Sequence, residues 1–257
     1  MPVRVKRFDH IALVTMDRQK SLNAFNTYMI DELESVYSEI EADEDIYVTI
    51  ITGAGRSFVS GADISEMRDM TATEAKRFSY NSNSVFLRLE NSAKPIIAAV
   101  NGFAIGGGCE LSMCCDIRLA SDRAMFGQTE VNLGITPGFG GTQRLPRIVG
   151  NSRAAEMIFT GKLIDAYTAR DWGLVSEVYP HDELLPKAIE MAKQIASKGQ
   201  LGVRQSKICL HRCLYTDMYT GTAFEAEAFG ICFSSSDQKN AMRAFLNKEK
   251  FTDFKNE

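Results

Sequence analysis

The order of hydrophobic and polar residues predicts alternating strands and helices in the first part of the chain. Residues 10–16 and 46–51 are short runs of apolar and β-branched side chains, which is typical of buried strands. Between them, over residues 29–40, apolar side chains recur at the spacing of one helix face. A second helical pattern covers residues 73–90, and a further apolar strand follows at residues 96–100. This order of elements predicts an α/β core.

After residue 150 the pattern becomes mainly helical, with one more short strand predicted at residues 173–178. Apolar side chains at helical spacing predict helices at residues 154–159, 166–172, 184–196, 203–214, 224–233 and 238–247. The last of these helices lie together at one end of the chain. We therefore expect residues 1–195 to form the core and residues 196–257 to form a helical oligomerisation region.

Composition narrows the range of functions. Hydrophobic residues make up 45% of the 257 residues and charged residues 24%, as in an ordinary globular protein. The net charge of −4 argues against a nucleic-acid-binding surface. None of the six cysteines forms a C-x-x-C pair or stands at metal-ligand spacing from a histidine, so we expect reduced thiols and no metal site. The chain shows no apolar signal segment and no long apolar run, so we expect a cytoplasmic protein without a membrane span.

Residues 94–147 carry most of the chemical information. After the apolar strand come three consecutive glycines, residues 106–108, which open a short apolar helix. Glycine lets backbone N–H groups approach a ligand, and the first turn of a helix has unpaired donors and a partial positive charge. Glu110 lies just inside this helix, and Glu130 follows a short turn. Two carboxylates beside backbone donors indicate acid–base chemistry on a carbonyl compound that passes through an enolate.

Each of these features also has a simpler explanation. Most glutamates are solvated surface charges, and many turn glycines serve only to allow a positive φ. The residues by themselves therefore leave a structural role open for Glu110, for Glu130 and for the glycines.

Three segments resemble the crotonase (enoyl-CoA hydratase/isomerase) family, and in particular its bacterial short-chain hydratases. They are NGFAIGGGCELSMCCDIRLAS at residues 101–121, GITPGFGGTQRL at 134–145 and AFEAEAFGICFSSSDQKNAM at 223–242. The resemblance extends over essentially the whole chain, beginning with DRQKSLNA at residues 17–24. It implies a spiral of ββα turns that forms two nearly perpendicular sheets. It also implies a C-terminal helical region that packs homotrimers, commonly paired into hexamers.

The resemblance assigns roles to four positions. Glu130 would direct proton transfer at the substrate's Cα and Cβ, and Glu110 would share in holding and activating the water. The backbone N–H groups of Ala62 and Gly107 would bind the thioester oxygen. Family members that hydrate have glutamate at both positions, so the implied reaction is reversible syn addition of water to a short-chain trans-2-enoyl-CoA. The implied enzyme needs no metal and no redox cofactor.

Other matching positions imply where coenzyme A binds. The resemblance places the ligand near the loop after the first predicted strand, near the Ala-Asp-Ile segment and near a C-terminal helix lent by a neighbouring subunit. The matching residues are Lys20, Ser21, Leu22, Asp63, Ile64, Ser65, Gly138, Phe245 and Lys248. Lysines are usually solvated surface charges, so the sequence alone does not separate ligand contacts from ordinary surface residues.

The chain departs from the family pattern at two positions. Ser65 stands where many relatives have Lys, which removes one possible phosphate contact and places more weight on Lys20 and Lys248. Thr129 stands where close relatives usually have Pro, which restores a backbone N–H and frees φ before Glu130.

The acyl-chain pocket is less clearly marked than the other sites. By resemblance it would include Met67, Met70, Phe78 and Phe86, although such a set at helical spacing is also typical of a core.

The main alternatives are an isomerase or a hydratase of a cyclic or branched enoyl-CoA. From a different class, an RNA-binding or structural protein with this fold would also match. The net charge argues against the RNA-binding alternative, and the presence of both glutamates argues against a purely structural protein.

Overall fold

The computed structural model describes residues 1–251 and 254–256, and the strands in this part of the chain form two sheets. The first is six-stranded, in the order β1 (Val3–Phe8), β2 (Ile11–Met16), β3 (Val48–Gly53), β5 (Ile96–Val100), β7 (Ile117–Ser121) and β10 (Glu177–Tyr179). The second is four-stranded, in the order β4 (Ser57–Val59), β6 (Phe103–Ile105), β8 (Met125–Gly127) and β9 (Leu163–Asp165).

From β3 to β8, consecutive strands alternate between the two sheets, and this alternation defines the spiral. The pairs β3–β4, β5–β6 and β7–β8 each place one strand in the larger sheet and the next in the smaller sheet. The equivalent strands of successive pairs lie parallel to one another. Helices α3 (Ala72–Glu90) and α4 (Gly107–Cys114) connect one pair to the next. The predicted α/β class and the ββα spiral are therefore confirmed.

The remaining helices surround the sheets and extend the C-terminal part of the chain. Those before residue 180 are α1 (Thr27–Ala42), α2 (Ile64–Met67), α5 (Gly141–Val149), α6 (Asn151–Thr160) and α7 (Ala166–Asp171). Those after it are α8 (His181–Ala196), α9 (Gln200–Arg212), α10 (Met218–Cys232) and α11 (Ser236–Leu246). Short 3-10 helices cover Gln19–Ser21 and Glu130–Leu133. None of the helices in residues 1–251 and 254–256 is long and apolar enough to cross a bilayer.

Hydrophobic cores cover both faces of the larger sheet. On one face Ile50 and Ile97 pack with Leu184 of α8, and on the other Ile51 and Ile96 belong to the main core. Successive strand residues point to opposite faces, so a strand covered on both faces needs apolar side chains at nearly every position. This explains the continuous apolar run that predicted β3.

Several elements are absent from the sequence-based prediction, among them β1 and α5. Strand β1 has the charged residues of an edge strand and lies antiparallel to β2. Helix α5 begins among glycines and contains Pro146, which obscured its helical pattern. The strand predicted at residues 173–178 is displaced, because β10 begins only at Glu177. Leu174 is buried in the preceding loop instead, where its carbonyl accepts a hydrogen bond from Arg118.

Candidate active site

A cavity of about 580 Å³ lies where the smaller sheet meets the first turn of α4. Three segments contribute much of its wall, at residues 60–62, 105–107 and 136–139. Of the residues singled out from the sequence, the described structure lines this cavity with Ala62, Ile64, Gly107, Glu110, Glu130 and Gly138. The cavity therefore brings together both glutamates and both proposed backbone donors.

The entry to α4 depends on glycine at two positions. Gly106 has φ +50° and ψ −120°, and a Cβ there would lie 2.8 Å from Oε1 of Glu130. At Gly108, a Cβ would lie 1.9 Å from the backbone oxygen of Val59, so α4 packs directly against β4. Gly107 between them is the first residue of the helix, and its N–H has no partner inside the helix. The three glycines thus place an N–H group of the first helical turn at the wall of the cavity.

Ala62 is oriented by an isolated bridge to Phe25. The N–H of Phe25 donates to the oxygen of Gly61 at 2.8 Å, and the N–H of Asp63 donates to the oxygen of Phe25 at 2.6 Å. Alternate peptide groups of extended chain point in opposite directions, so the N–H of Ala62 faces away from Phe25. A Cβ at Gly106 would lie 3.7 Å from Cα of Gly61, which shows how closely the two backbone segments approach.

Glu110 is almost completely buried, with 1% of its surface exposed. Its Oε1 accepts hydrogen bonds from the N–H of Phe139 at 2.9 Å and from the N–H of Gly141 at 2.7 Å. Burial, reinforced by the negative charge of Glu130, raises the pKa of Glu110 to about 7, although the two N–H donors act in the opposite direction. Glu110 can therefore gain or lose a proton near neutral pH.

Glu130 is held differently from Glu110. It begins the short 3-10 helix Glu130–Leu133, and within the described residues its buried Oε2 has no hydrogen-bond partner. Burial raises the pKa of this carboxyl group. Two neighbouring buried carboxylates do not readily ionise together, so the pair favours holding one proton near neutral pH. The two N–H donors on Glu110 act against this and favour its ionised form.

Thr129 precedes Glu130 with φ −101°. This value lies outside the range of about −65 ± 15° that proline adopts. Thr129 therefore has a backbone conformation that proline could adopt only after a change in φ.

The loop that contains Lys20, Ser21 and Leu22 borders the cavity wall through Ser60. The N–H of Ser60 donates to the oxygen of Leu22 at 3.1 Å, and its hydroxyl group donates to the oxygen of Ser21 at 3.4 Å. Lys20 is exposed to solvent beside this contact. The loop is thus close to the cavity, and the side chain of Lys20 is accessible to solvent next to it.

The segment after Ala62 is fixed by its own hydrogen bonds. Asp63 caps α2 by accepting from the N–H of Ser65 at 3.0 Å and from its hydroxyl group at 2.5 Å. The Ser65 hydroxyl and the Arg18 guanidinium, 2.7 Å from the second carboxylate oxygen, hold the pKa of Asp63 below its usual range. In the described structure Ile64 lines the cavity, whereas Asp63 and Ser65 do not.

Arg18 and Asn23 are site residues that the sequence analysis missed. Asn23 is fully buried with φ +60°, and its side-chain amide donates to the backbone oxygens of Ser57 at 2.8 Å and Phe58 at 3.2 Å. The N–H of Arg18 donates in turn to Oδ1 of Asn23 at 2.8 Å. Together with the ion pair to Asp63, these contacts tie the loop at residues 18–24 to the cavity wall. The only available signal was that Asn tolerates a left-handed backbone conformation.

The other predicted positions are divided between the cavity and elsewhere. Met67, Met70 and Phe78 line the cavity, but Phe86 is buried in the core, with its ring 5.7 Å from that of Phe139. The assignment of Phe86 to the acyl pocket is therefore wrong, because it packs among aromatic rings behind the cavity wall.

The C-terminal positions Phe245 and Lys248 are exposed, and neither lines the cavity within the described part of the chain. Across residues 1–251 and 254–256, His, Cys, Asp and Glu side chains form no group of three that could hold a metal ion.

Comparisons with known proteins agree with the geometry. A family model described as enoyl-CoA hydratase/isomerase matches residues 7–257. The chain is 52% identical over 247 residues to the short-chain-enoyl-CoA hydratase of Clostridium acetobutylicum, covering 96% of this chain and 95% of that protein. It is 47% identical over 247 residues to the crotonyl-CoA hydratase of Syntrophomonas wolfei, with the same coverage. The crystal structure of an enoyl-CoA hydratase from Bacillus anthracis matches with a TM-score of 0.96 and 36% identity over 100% of both chains.

Proposed function

The chain belongs to the enoyl-CoA hydratase/isomerase family, and we propose that it adds water reversibly to short-chain trans-2-enoyl-CoA thioesters. It is an enzyme of the enoyl-CoA hydratase type, a lyase, and its product is a 3-hydroxyacyl-CoA. The observation that carries the proposal is the single cavity that Glu110, Glu130, Ala62 and Gly107 line together.

The backbone donors act on the thioester. In the proposed complex the N–H groups of Ala62 and Gly107 donate to the thioester oxygen, which polarises the conjugated double bond and makes Cβ electrophilic. As water adds, negative charge moves to that oxygen and gives an enolate. Donors fixed in advance at this position stabilise the charge without further reorganisation.

The two glutamates divide the proton transfers between them. The Glu110 carboxylate accepts a proton from water while the water oxygen bonds to Cβ, and the Glu130 carboxyl group gives its proton to Cα. Both groups act on the same face of the substrate, which accounts for syn addition. Hydration leaves the proton on Glu110, and transfer through water returns it to Glu130. The reverse sequence dehydrates a 3-hydroxyacyl-CoA.

The direct test is the loss of the ultraviolet absorbance of crotonyl-CoA. We expect rapid loss with the wild-type protein and formation of 3-hydroxybutyryl-CoA, because addition of water removes the conjugation. A 3-enoyl-CoA supplied alone tests isomerisation, since its conversion requires migration of the double bond. Conversion of 3-enoyl-CoA or of a branched enoyl-CoA, with crotonyl-CoA left unchanged, would contradict the proposal.

The proposed substrate site continues from the cavity to the surface loop. Lys20, Ser21 and Leu22 would contact the adenine and phosphate portion, with Asp63, Ile64 and Ser65 near the entrance and Gly138 near the acyl group. Phe245 and Lys248 would come from a neighbouring subunit. The proposed chemistry uses this chain's residues and water, with no resident cofactor, and we propose a cytoplasmic location.

The surface of the C-terminal helices supports the proposed trimer or hexamer. Helix α10 is predominantly apolar, yet Ala228 is its one buried residue in the described structure. Large apolar side chains here are exposed, including Met218 at 81%, Tyr219 at 86% and Phe229 at 65%. An exposed apolar surface of this kind indicates a protein–protein interface. We propose that residues 196–257 form this interface. Helix α9 also contacts the core, because Nζ of Lys207 donates a hydrogen bond to the backbone oxygen of Lys94 at 2.9 Å.

Replacing Phe229 with Glu should dissociate the assembly, because it places a charge in the proposed apolar contact. Light scattering would measure the mass, and the crotonyl-CoA assay would measure activity. Tyr80→Glu is the matched control, since Tyr80 is an aromatic residue on α3 that is 73% exposed. A Phe229→Glu protein with the mass of the wild-type assembly would contradict this interface.

A further inference from the structure

The turn that supplies the donors to Glu110 is held by hydrogen bonds from side chains of α3 and α5. The oxygen of Gly138 accepts from the hydroxyl of Ser79 at 2.5 Å and from the amide of Asn83 at 2.7 Å. The next oxygen, that of Phe139, accepts from Nη1 of Arg144 at 2.9 Å. These bonds determine which way the peptide groups of the turn point.

Arg144 is the central member of this arrangement. It is 8% exposed, and its Nε and Nη2 donate to the same oxygen of Glu90 at 3.1 and 2.8 Å. Gly140 has φ +99°, and a Cβ there would lie 2.1 Å from Nη1 of Arg144, so only glycine lets the guanidinium lie against the turn. The guanidinium thus joins Glu90 of α3 to the backbone of the turn.

We infer that Arg144, anchored by Glu90, is a positioning residue for Glu110. The inference rests on the proposed hydration reaction. Arg144 acts through the turn at residues 139–141: it fixes the carbonyl of Phe139, and the N–H groups of Phe139 and Gly141 then meet one oxygen of Glu110. Its positive charge also favours the ionised form of that carboxylate, which is the form that accepts a proton from water.

Arg144 does not border the active-site cavity as the structure describes it. It lines a separate cavity of about 490 Å³ on the other side of the turn, together with Glu90, Cys114 and Asn83. A change at Arg144 should therefore alter the ionisation and orientation of Glu110 without removing a substrate contact. The expected kinetic effect falls on kcat, with KM within about threefold of wild type.

The direction of the pH effect follows from the groups around Glu110. The charged and titratable groups that interact with Glu110 include Glu130, Arg144, Cys109 and Cys114, and Glu90 is paired with Arg144. Burial raises the pKa of Cys109 to about 12 and that of Cys114 well above its usual value, so both thiols remain neutral. Arg144 is the cation that lowers the pKa of Glu110, so its loss should raise that pKa.

The experiment compares Arg144→Met and Arg144→Lys with Arg147→Met. Arg147 is an exposed residue one turn along the same helix, so its variant controls for loss of an arginine from α5. For Arg144→Met we expect the acid limb of the kcat–pH profile to move to higher pH by roughly one unit. The substitution removes the cation, and it also releases the turn that holds the two backbone donors in place. Arg144→Lys keeps the charge but not the forked geometry, so we expect lower kcat with a smaller shift.

The outcomes separate this inference from the proposed function. Circular dichroism and light scattering first establish that each variant is folded and assembled. Wild-type and Arg147→Met profiles that coincide, with a shifted Arg144→Met profile, would support the positioning role. The positioning role would be overturned if Arg144→Met kept the wild-type kcat and the wild-type acid limb of the profile, or if only its melting temperature changed. If Arg144→Met does not fold, Arg144→Lys becomes the test. An Arg144→Lys protein with the wild-type kcat and the wild-type pH profile would then overturn the inference. A wild-type protein without hydratase activity would instead refute the proposed function.

Discussion

Replacing Glu130 or Glu110 with Gln should lower kcat for crotonyl-CoA hydration by about 10²–10⁴, the usual contribution of general acid–base catalysis. Glutamine keeps the size of the side chain but cannot exchange the proton that the reaction needs. Substrate contacts remain, so KM should change little. The ultraviolet assay measures both constants, and Glu190→Gln is the control because Glu190 is on α8, outside the cavity lining of the described structure.

The two variants should differ in a second measurement. A saturated thioester such as butyryl-CoA can exchange its Cα protons with deuterated water without any addition of water to a double bond. Because Glu130 is proposed to serve Cα, Glu130→Gln should abolish this exchange, and Glu110→Gln should retain more of it. Hydration within a few-fold of wild type in either variant would contradict its catalytic role, and equal exchange in both would contradict the division of roles.

Replacing Gly107 with Pro should lower kcat by about 10²–10³ relative to Gly107→Ala, the usual effect of losing one oxyanion donor. Proline removes the N–H, and its fixed φ is compatible with the first position of a helix. Alanine is the matched control, because both substitutions add a Cβ that would lie 2.9 Å from the ring of Phe139. Comparing the two variants therefore separates loss of the donor from crowding of the ring.

Infrared spectra of a bound thioester give an independent measure of this donor. The carbonyl band should move to lower frequency on binding to the wild-type protein and to Gly107→Ala, and less so on binding to Gly107→Pro. Equal kcat and equal band positions in the two variants would show that the N–H of Gly107 does not bind the substrate oxygen.

Local patterns in the sequence were sufficient for the main elements. Strand β3 and helix α3 were predictable because their apolar spacing repeats over consecutive residues. The three glycines at residues 106–108 and the carboxylate of Glu110 could be recognised together in the sequence, because all lie at the start of one short helix. Charged edge strand β1 and proline-containing α5 gave weaker local signals, and neither was predicted.

The sequence by itself determined the α/β class, the glycine-lined helix entry and the identity of the two candidate carboxylates, because each depends on neighbouring residues. Only the tertiary structure decided that Phe86 packs in the core and that Asn23 anchors the loop. It also decided how Glu110 is held, since its donors lie 29 and 31 residues away and Arg144 reaches Glu90 across 54 residues. Contacts over such separations depend on how the ββα turns stack, and no local pattern records that stacking.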